Sequence, residues 1–248
     1  MHASSPLLPF VHRLERHSRI GPQSRATLLE LPCTVTTIER GGYLVRQGQH
    51  PKESRVVLKG LLFRQKLTAT GGRAIVSIHL PGQVVDLHNS FLTVADHTVQ
   101  ALTHAEVALL PRRALASAAE KDVEISRALL VETLIDSSVL MEWQANIARR
   151  SADSRLAHLL CELGVRLAAA DLGDTAQYRI PMTQEQLADC LGITGVHVNR
   201  ILRAFDRSGV IERKGRDLLI ARPERLAGLA DFDPTYLHLQ RAEARLPE

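Results

Sequence analysis

From Ala114 to Asp171 the chain contains no proline and a single glycine, Gly164. Nothing in that stretch stops an α-helix, because the two residues that interrupt helices through a lost donor or excess backbone entropy are almost absent from it. The segment before it reads the opposite way. Between Thr34 and Leu110, short apolar and β-branched runs alternate with turn signals at Gly41-Gly42, Gly48, Gly60, Gly71-Gly72 and Pro81-Gly82. That punctuation predicts strands over 35–38, 55–59, 61–68, 73–80, 98–102 and 106–110, with Thr70-Gly71-Gly72 as a tight hairpin turn. Turns at this spacing point to a sandwich or barrel-like roll, and a short helix over Ser24 to Leu31 precedes it.

The helical stretch is expected to break near Arg149 to Asp153, where Ser151 or Asp153 N-caps a second helix running through Leu156, Leu159, Leu160, Leu163 and Leu167. In the first helix Val131, Leu134, Ser138, Met141, Ala145 and Ala148 recur at gaps of 3, 4, 3, 4 and 3. This is the a/d spacing of a helix–helix seam. A seam of this kind packs either against the chain's own β-domain or against a second copy. A second apolar row, Ile135, Val139, Leu140, Trp143 and Ile147, lies on another part of the same surface. A helix with two apolar surfaces needs two partners, which favours a homodimer interface through Val131, Leu134, Met141 and Ala145.

With 248 residues, 45% apolar and 23% charged, the composition is that of a folded, water-soluble protein of one large or two modest domains. The net charge of +4 permits a nucleic-acid partner without demanding one. Its placement says more, because Arg200, Arg203, Arg207, Arg213, Lys214 and Arg216 face only Asp206 and Glu212 within one short segment. Cys33, Cys161 and Cys190 lie far apart, so neither a disulfide framework nor a zinc ribbon is readable. No signal-peptide core or membrane-length apolar run is present, and a reducing cytoplasm is the expected setting.

The segment QEQLADCLGITGVHVNRILR, starting at Gln184, fits a helix-turn-helix. Ala188 is small where two helices cross, Gly192 supplies the left-handed turn residue, and Leu187, Ile193, Val198 and Ile201 hold the helices together. Thr183 with Gln186 makes a capping box, and Thr194 can cap the second helix. In that helix Val198, Ile201, Leu202 and Phe205 form one apolar face, leaving Val196, Asn199, Arg200, Arg203 and Arg207 on the other. Three arginines and an asparagine on an exposed face suit a major groove. Val210 to Arg213 and Leu218 to Ala221 read as two strands joined at Lys214-Gly215, a wing that carries Arg213, Lys214 and Arg216 toward phosphates.

A β-roll, a long helix and a winged helix-turn-helix, in that order, resemble the Crp/Fnr family of bacterial transcription regulators over nearly the whole chain. Met182 to Ile211 is the most specific segment, and Thr194-Gly195-Val196-His197-Val198-Asn199-Arg200 resembles the recognition helix of a subgroup with T-x-V-H-V-N-R. LPGQVVDLHNSFL and the tail DFDPTYLHL are similar to that subgroup too. The resemblance implies an α+β chain divided into a cyclic-nucleotide-binding-like β-roll at 1–120, a dimerisation helix at 121–150 and a winged helix-turn-helix at 151–248. It implies a homodimer on a palindromic double-stranded DNA operator, controlled by a small effector in the roll or having lost one, with RNA polymerase as a partner. Arg200 matches the family arginine that reads guanine. Asn199 and Val196 join it in base readout, and Thr183, Thr194, His197, Arg203, Arg207, Arg213, Lys214 and Arg216 fall to the DNA backbone. Gly195 and Val196 stand where cyclic-AMP-binding members present an arginine and a glutamate, so those members' operator bases do not carry over.

Cyclic-nucleotide binding in the family uses a Gly-Glu start and a later arginine that pairs with the cyclic phosphate. Here the stretch begins Gly82-Gln83, and from Ala74 to Pro111 there is no lysine or arginine, which argues against cyclic AMP or cyclic GMP. Gln83, Asp86, His88 and His97 are the candidate effector-pocket residues. A fumarate–nitrate-type iron–sulfur cluster needs four cysteines, and this chain has three. His79, His88, His97 and His104 leave a haem- or metal-dependent sensor of the same fold as the alternative, although isolated histidines in a β-domain are more often hydrogen-bonded residues. No cofactor is expected. Hydrolase, zincin, phosphate-loop and dinucleotide motifs are all missing, which argues against an enzyme.

Overall fold

In the computed structural model, which describes residues 5–215 and 217–239, the glycine-punctuated stretch is β and the proline-free stretch is helical. The elements run α1 (Leu8–His17), α2 (Pro22–Leu29), β1 (Thr34–Ile38), β2 (Tyr43–Val45), β3 (Glu53–Lys59), β4 (Leu62–Leu67), β5 (Arg73–His79), a 3-10 turn at Leu87–Ser90, β6 (Thr98–Ala101), β7 (Ala105–Pro111), α3 (Arg112–Lys121) and α4 (Val123–Arg149). After them come α5 (Ala152–Ala169), β8 (Gln177–Arg179), α6 (Gln184–Leu191), α7 (Gly195–Arg207), β9 (Glu212–Lys214), β10 (Asp217–Leu219), α8 (Pro223–Ala230) and a 3-10 turn at Pro234–Leu237. The described residues fall into two units, one of 5–66, 77–137 and 238–239, the other of 67–76, 138–215 and 217–237. The boundary lies inside α4.

The β-roll is built from a three-stranded sheet in the order β1-β7-β3 and a four-stranded sheet in the order β2-β6-β4-β5. Strand β3 is buried from Ser54 to Leu58 because both of its faces are covered. Val56 and Leu58 face a cluster with Phe10, Val11, Leu14, Leu28, Leu115, Ile125 and Leu129, while Val57 faces a second cluster with Val45, Leu62, Val99 and Val107. The period of two assigns neighbouring residues to opposite cores, and each such side chain contributes roughly 1.5–3 kcal/mol by its burial. Strand β7 does the same, with Ala108 and Leu110 on the helical side and Ala105 and Val107 inside the roll.

Three features differ from the sequence expectations. Helix α1 and the three-residue strand β2 are additional, and α1 covers the outer face of the sheet through Phe10, Val11 and Leu14. The helical stretch is interrupted at Asp122, whose extended backbone ends α3 and whose Oδ1 accepts from the amides of Glu124 and Ile125 at the start of α4. The wing strands are three residues each, and β8 joins them in the order β8-β10-β9 with Lys214 opposite Asp217.

Along α4, Ile125, Leu129, Ile135, Val139 and Trp143 are buried, whereas Leu130, Leu134 and Met141 are 58%, 57% and 61% exposed. Val131 is half-buried and Ala145 exposed. The two apolar rows read from the sequence therefore differ in their surroundings: the row with Ile135, Val139 and Trp143 is packed at those three positions and exposed at Leu140 and Ile147, while the other is open along most of its length.

In the second unit α5 is the central element. Ser151 caps its start by accepting from the Ser154 amide, and Gly164 stands where a Cβ would come within 2.3 Å of the Thr175 carbonyl oxygen. The fully buried Glu162 of α5 accepts Trp143 Nε1–H at 2.9 Å, Arg166 Nη1–H at 2.8 Å and Tyr236 O–H at 2.7 Å. One carboxylate thus joins α4, α5 and the tail segment. Beside it the buried His158 ring stacks on Tyr236 at 5.8 Å and meets Phe232 edge-on at 5.2 Å, which gives the aromatic tail its place. Burial holds the His158 imidazole below its usual range.

Glu162→Ala leaves a guanidinium, an indole N–H and a phenol facing a void. It should lower stability by about 3–5 kcal/mol, the usual loss when one partner of a buried ionic group is removed. Urea unfolding followed through Trp143, the chain's single tryptophan, measures it, and a loss below about 1 kcal/mol would mean that the hub does not hold these segments.

Candidate nucleic-acid interface

The helix-turn-helix begins with a complete capping box. The Thr183 amide donates to Gln186 Oε1 at 2.9 Å, and the Gln186 amide donates to Thr183 Oγ1 at 3.1 Å. Gly192 ends α6 at φ +63°, a left-handed conformation that disfavours side chains, and the Thr194 hydroxyl accepts the His197 amide at 3.3 Å to start α7. Val198, Ile201, Leu202 and Phe205 are buried on one side of α7. On the other side Val196 is 83% exposed, and Arg200, Arg203 and Arg207 are exposed.

Two polar contacts shape this outer face. The Asn199 amide nitrogen donates to Gln184 Oε1 at 2.9 Å, so Gln184, which the sequence patterns did not single out, sets the orientation of a candidate base reader. Its signal was present in the sequence as a polar residue at the first position of α6. Arg200 Nη2 lies 2.7 Å from His197 Nε2. A guanidinium has only donors, so Nε2 accepts and the histidine proton sits on Nδ1. His197 thereby touches the arginine it precedes by one turn. Gln184, Val196, Asn199, Arg200, Arg203 and Arg207 line an open groove, together with the acidic Glu185 and Asp206. On the wing Lys214 is exposed and Arg213 half-buried, while Arg216 lies outside the described residues.

The candidate effector residues separate into two groups. Asp86 is fully buried; its Oδ1 accepts the Arg55 amide at 2.7 Å and its Oδ2 accepts Arg55 Nη1–H and Asn89 Nδ2–H, each at 2.8 Å. Gln83 closes its own turn by accepting the Leu80 amide at 2.8 Å. Both side chains thus hold the roll together. His88 and His97, by contrast, lie side by side with ring centroids 4.6 Å apart. His79 contacts Ser77 at 3.1 Å, and His104 pairs with the exposed Glu39 at 3.2 Å. Cys161 and Cys190 are buried core residues and Cys33 is half-buried; burial pushes the thiol of Cys33 up, that of Cys161 up to about 12, and that of Cys190 well above its usual value.

Residues 35–122 match the cyclic nucleotide-binding domain, and residues 154–229 match the Crp-like helix-turn-helix domain. The nitrogen fixation regulation protein FixK of Rhizobium meliloti is 29% identical over 203 residues, covering 81% of this chain and 89% of its own. The transcriptional activator protein anr of Pseudomonas aeruginosa is 26% identical over 195 residues, covering 78% and 79%. The structure of FixK2 from Bradyrhizobium japonicum superposes with a TM-score of 0.74 at 26% identity, covering 80% of this chain and 98% of that one.

The turn yields a direct test. The space around Gly192 is open, the nearest atom to where a Cβ would stand being Ile147 Cγ2 at 3.9 Å, so a substitution meets backbone strain rather than a clash. Gly192→Val should lower the unfolding free energy by roughly 1–2 kcal/mol in urea titrations, and an unchanged midpoint would contradict the left-handed assignment.

Proposed function

Since the chain belongs to the Crp/Fnr family of transcription regulators, we propose that it works as a homodimer that reads a palindromic operator through α7 and anchors itself with the wing. The relatives are DNA-binding transcription regulators rather than enzymes, and this chain is a DNA-binding transcription regulator of the same fold. The observation that carries the finer reading is the split of α7 into a buried apolar face and an exposed face bearing Val196, Asn199, Arg200, Arg203 and Arg207.

Arg200 is the guanine reader, its two parallel donors matching O6 and N7, and Asn199 and the apolar Val196 complete base recognition. Thr183, Thr194, Arg203, Arg207, Arg213, Lys214 and Arg216 meet the sugar-phosphate backbone. His197, assigned to the backbone from sequence, has the further task of orienting Arg200. The T-x-V-H-V-N-R pattern is in this reading a recognition signature. The open row of α4, with Leu134 and Met141 more than half exposed, is the dimer seam, and RNA polymerase is the protein partner at the promoter. The effector of the roll is assigned outside the cyclic nucleotides, because the buried Arg55 and the half-buried Arg64 are paired with Asp86 and Asp136.

Selection of DNA by the full-length protein, followed by binding to every single-base variant of the selected site, tests the readout. Arg200→Ala should flatten preference at one symmetric pair of positions, worth about 1–3 kcal/mol, whereas Lys214→Ala should weaken all sequences alike and reduce the salt slope by about one. A profile for Arg200→Ala parallel to the parent would refute the assignment. Leu134→Asp sets two like charges at the seam and should shift sedimentation toward monomer with a loss of operator affinity; a dimer that persists would place the interface elsewhere.

A further inference from the structure

Of the six positions between Leu87 and Thr98 that carry polar or titratable side chains, three converge. His88 sits in the 3-10 turn Leu87–Ser90, and Asp96 and His97 lead directly into β6. The backbone on either side is fixed. The Ala95 amide donates to the Gln49 carbonyl at 2.9 Å and the Ala95 carbonyl accepts from Gly48 at 2.8 Å, while Thr98 is paired with Gln65 in the sheet. His97 is therefore delivered inward and Asp96 outward by the alternation of an extended segment.

One ligand-type atom from each of His88, Asp96 and His97 lies within 4.8 Å of the others. Asp96 Oδ1 is 2.7 Å from His97 Nδ1 and 3.8 Å from His88 Nε2. His97 is only 3% exposed, and the Nε2 atoms of both histidines are buried with no hydrogen-bond partner among the described residues. Burying a bare ring nitrogen is unfavourable unless something accepts its lone pair. The two rings cannot satisfy each other by stacking, since they meet at 64°.

We propose that His88, Asp96 and His97 bind one divalent transition-metal ion of the zinc class, with two imidazole nitrogens and one carboxylate oxygen from the protein and the solvent side of Asp96 left open for further ligands. The donor set argues for this class: magnesium and calcium prefer all-oxygen sites, and mixed nitrogen and oxygen ligands suit zinc, cobalt or nickel. The charges facing the cluster are few and mostly matched. Arg64 is paired with Asp136, Asp86 with Arg55, and the exposed Lys66 reaches Asp96 Oδ2 at 3.1 Å, while Oδ1 is the oxygen that lies against His97 and His88.

The test uses full-length protein stripped by chelator and titrated with Co²⁺ alone, read by visible d–d absorption, and with Zn²⁺ alone, read by calorimetry. One ion per chain is expected. Asp96→Asn, at an exposed side chain that leaves folding undisturbed, should weaken binding by about 10–100-fold, and H88Q/H97Q should abolish it. His104→Gln, at the exposed histidine paired with Glu39, should bind as the parent does. Absence of a cobalt spectrum, or binding undiminished in both Asp96→Asn and H88Q/H97Q, overturns the proposal. Because the readout contains no DNA, its failure leaves the operator reading standing, and failure of that reading leaves the metal site standing.

Discussion

A single negative charge without access to water governs the second unit. Glu162 would be untenable at zero exposure were it not surrounded by the donors of Trp143, Arg166 and Tyr236. Those donors come from three separate stretches of chain, so the carboxylate demands that α4, α5 and the tail be in place together. Apolar packing alone tolerates small sliding motions; a buried ion with directional bonds does not. The helix-turn-helix that packs on α5 inherits this fixed base, and the arginines of α7 gain a defined platform.

The first unit obeys a different constraint, that of strands covered on both sides. Because β3 and β7 divide their residues between two cores, the roll cannot be complete without the helices α1, α2, α3 and the start of α4 on its outer face. Small adjustments bind these layers. Glu124 of α4 accepts both the Gly21 amide and the Ser24 hydroxyl at the start of α2, where a negative charge complements the helix dipole. Arg13 of α1 is paired with Glu132 of α4. The helix that offers an apolar row to a partner is thereby the same helix that closes the roll.

The sequence was most legible where backbone chemistry is local. Thr183, Gln186, Gly192 and Thr194 each act within a few residues, and the helix-turn-helix followed from them. Position in space was harder to read. The amphipathic face of α1 is hidden among His12, Arg13, Arg16 and Pro9, and β2 is too short to show a period. The break at Asp122 has no proline or glycine, because an aspartate cap does the work of ending one helix and opening another. Asp86 and Gln83 were read as candidates for ligand contact from their place in the chain, whereas their bonds to Arg55 and Leu80 depend on partners that no local pattern discloses. His88 and His97 stand nine positions apart, a spacing with no helical or strand meaning, and only the return of the loop to β6 brings them together.

Gly164 has a consequence for how this chain can diverge. Every single-base change that replaces a glycine codon with another amino acid adds at least a Cβ, and at this position that atom would overlap the Thr175 carbonyl. Drift at Gly164 is therefore closed unless the loop before β8 has already moved. Descendants of this sequence should retain that glycine longer than its neighbours Leu163 and Val165, for which other apolar side chains fill the same space.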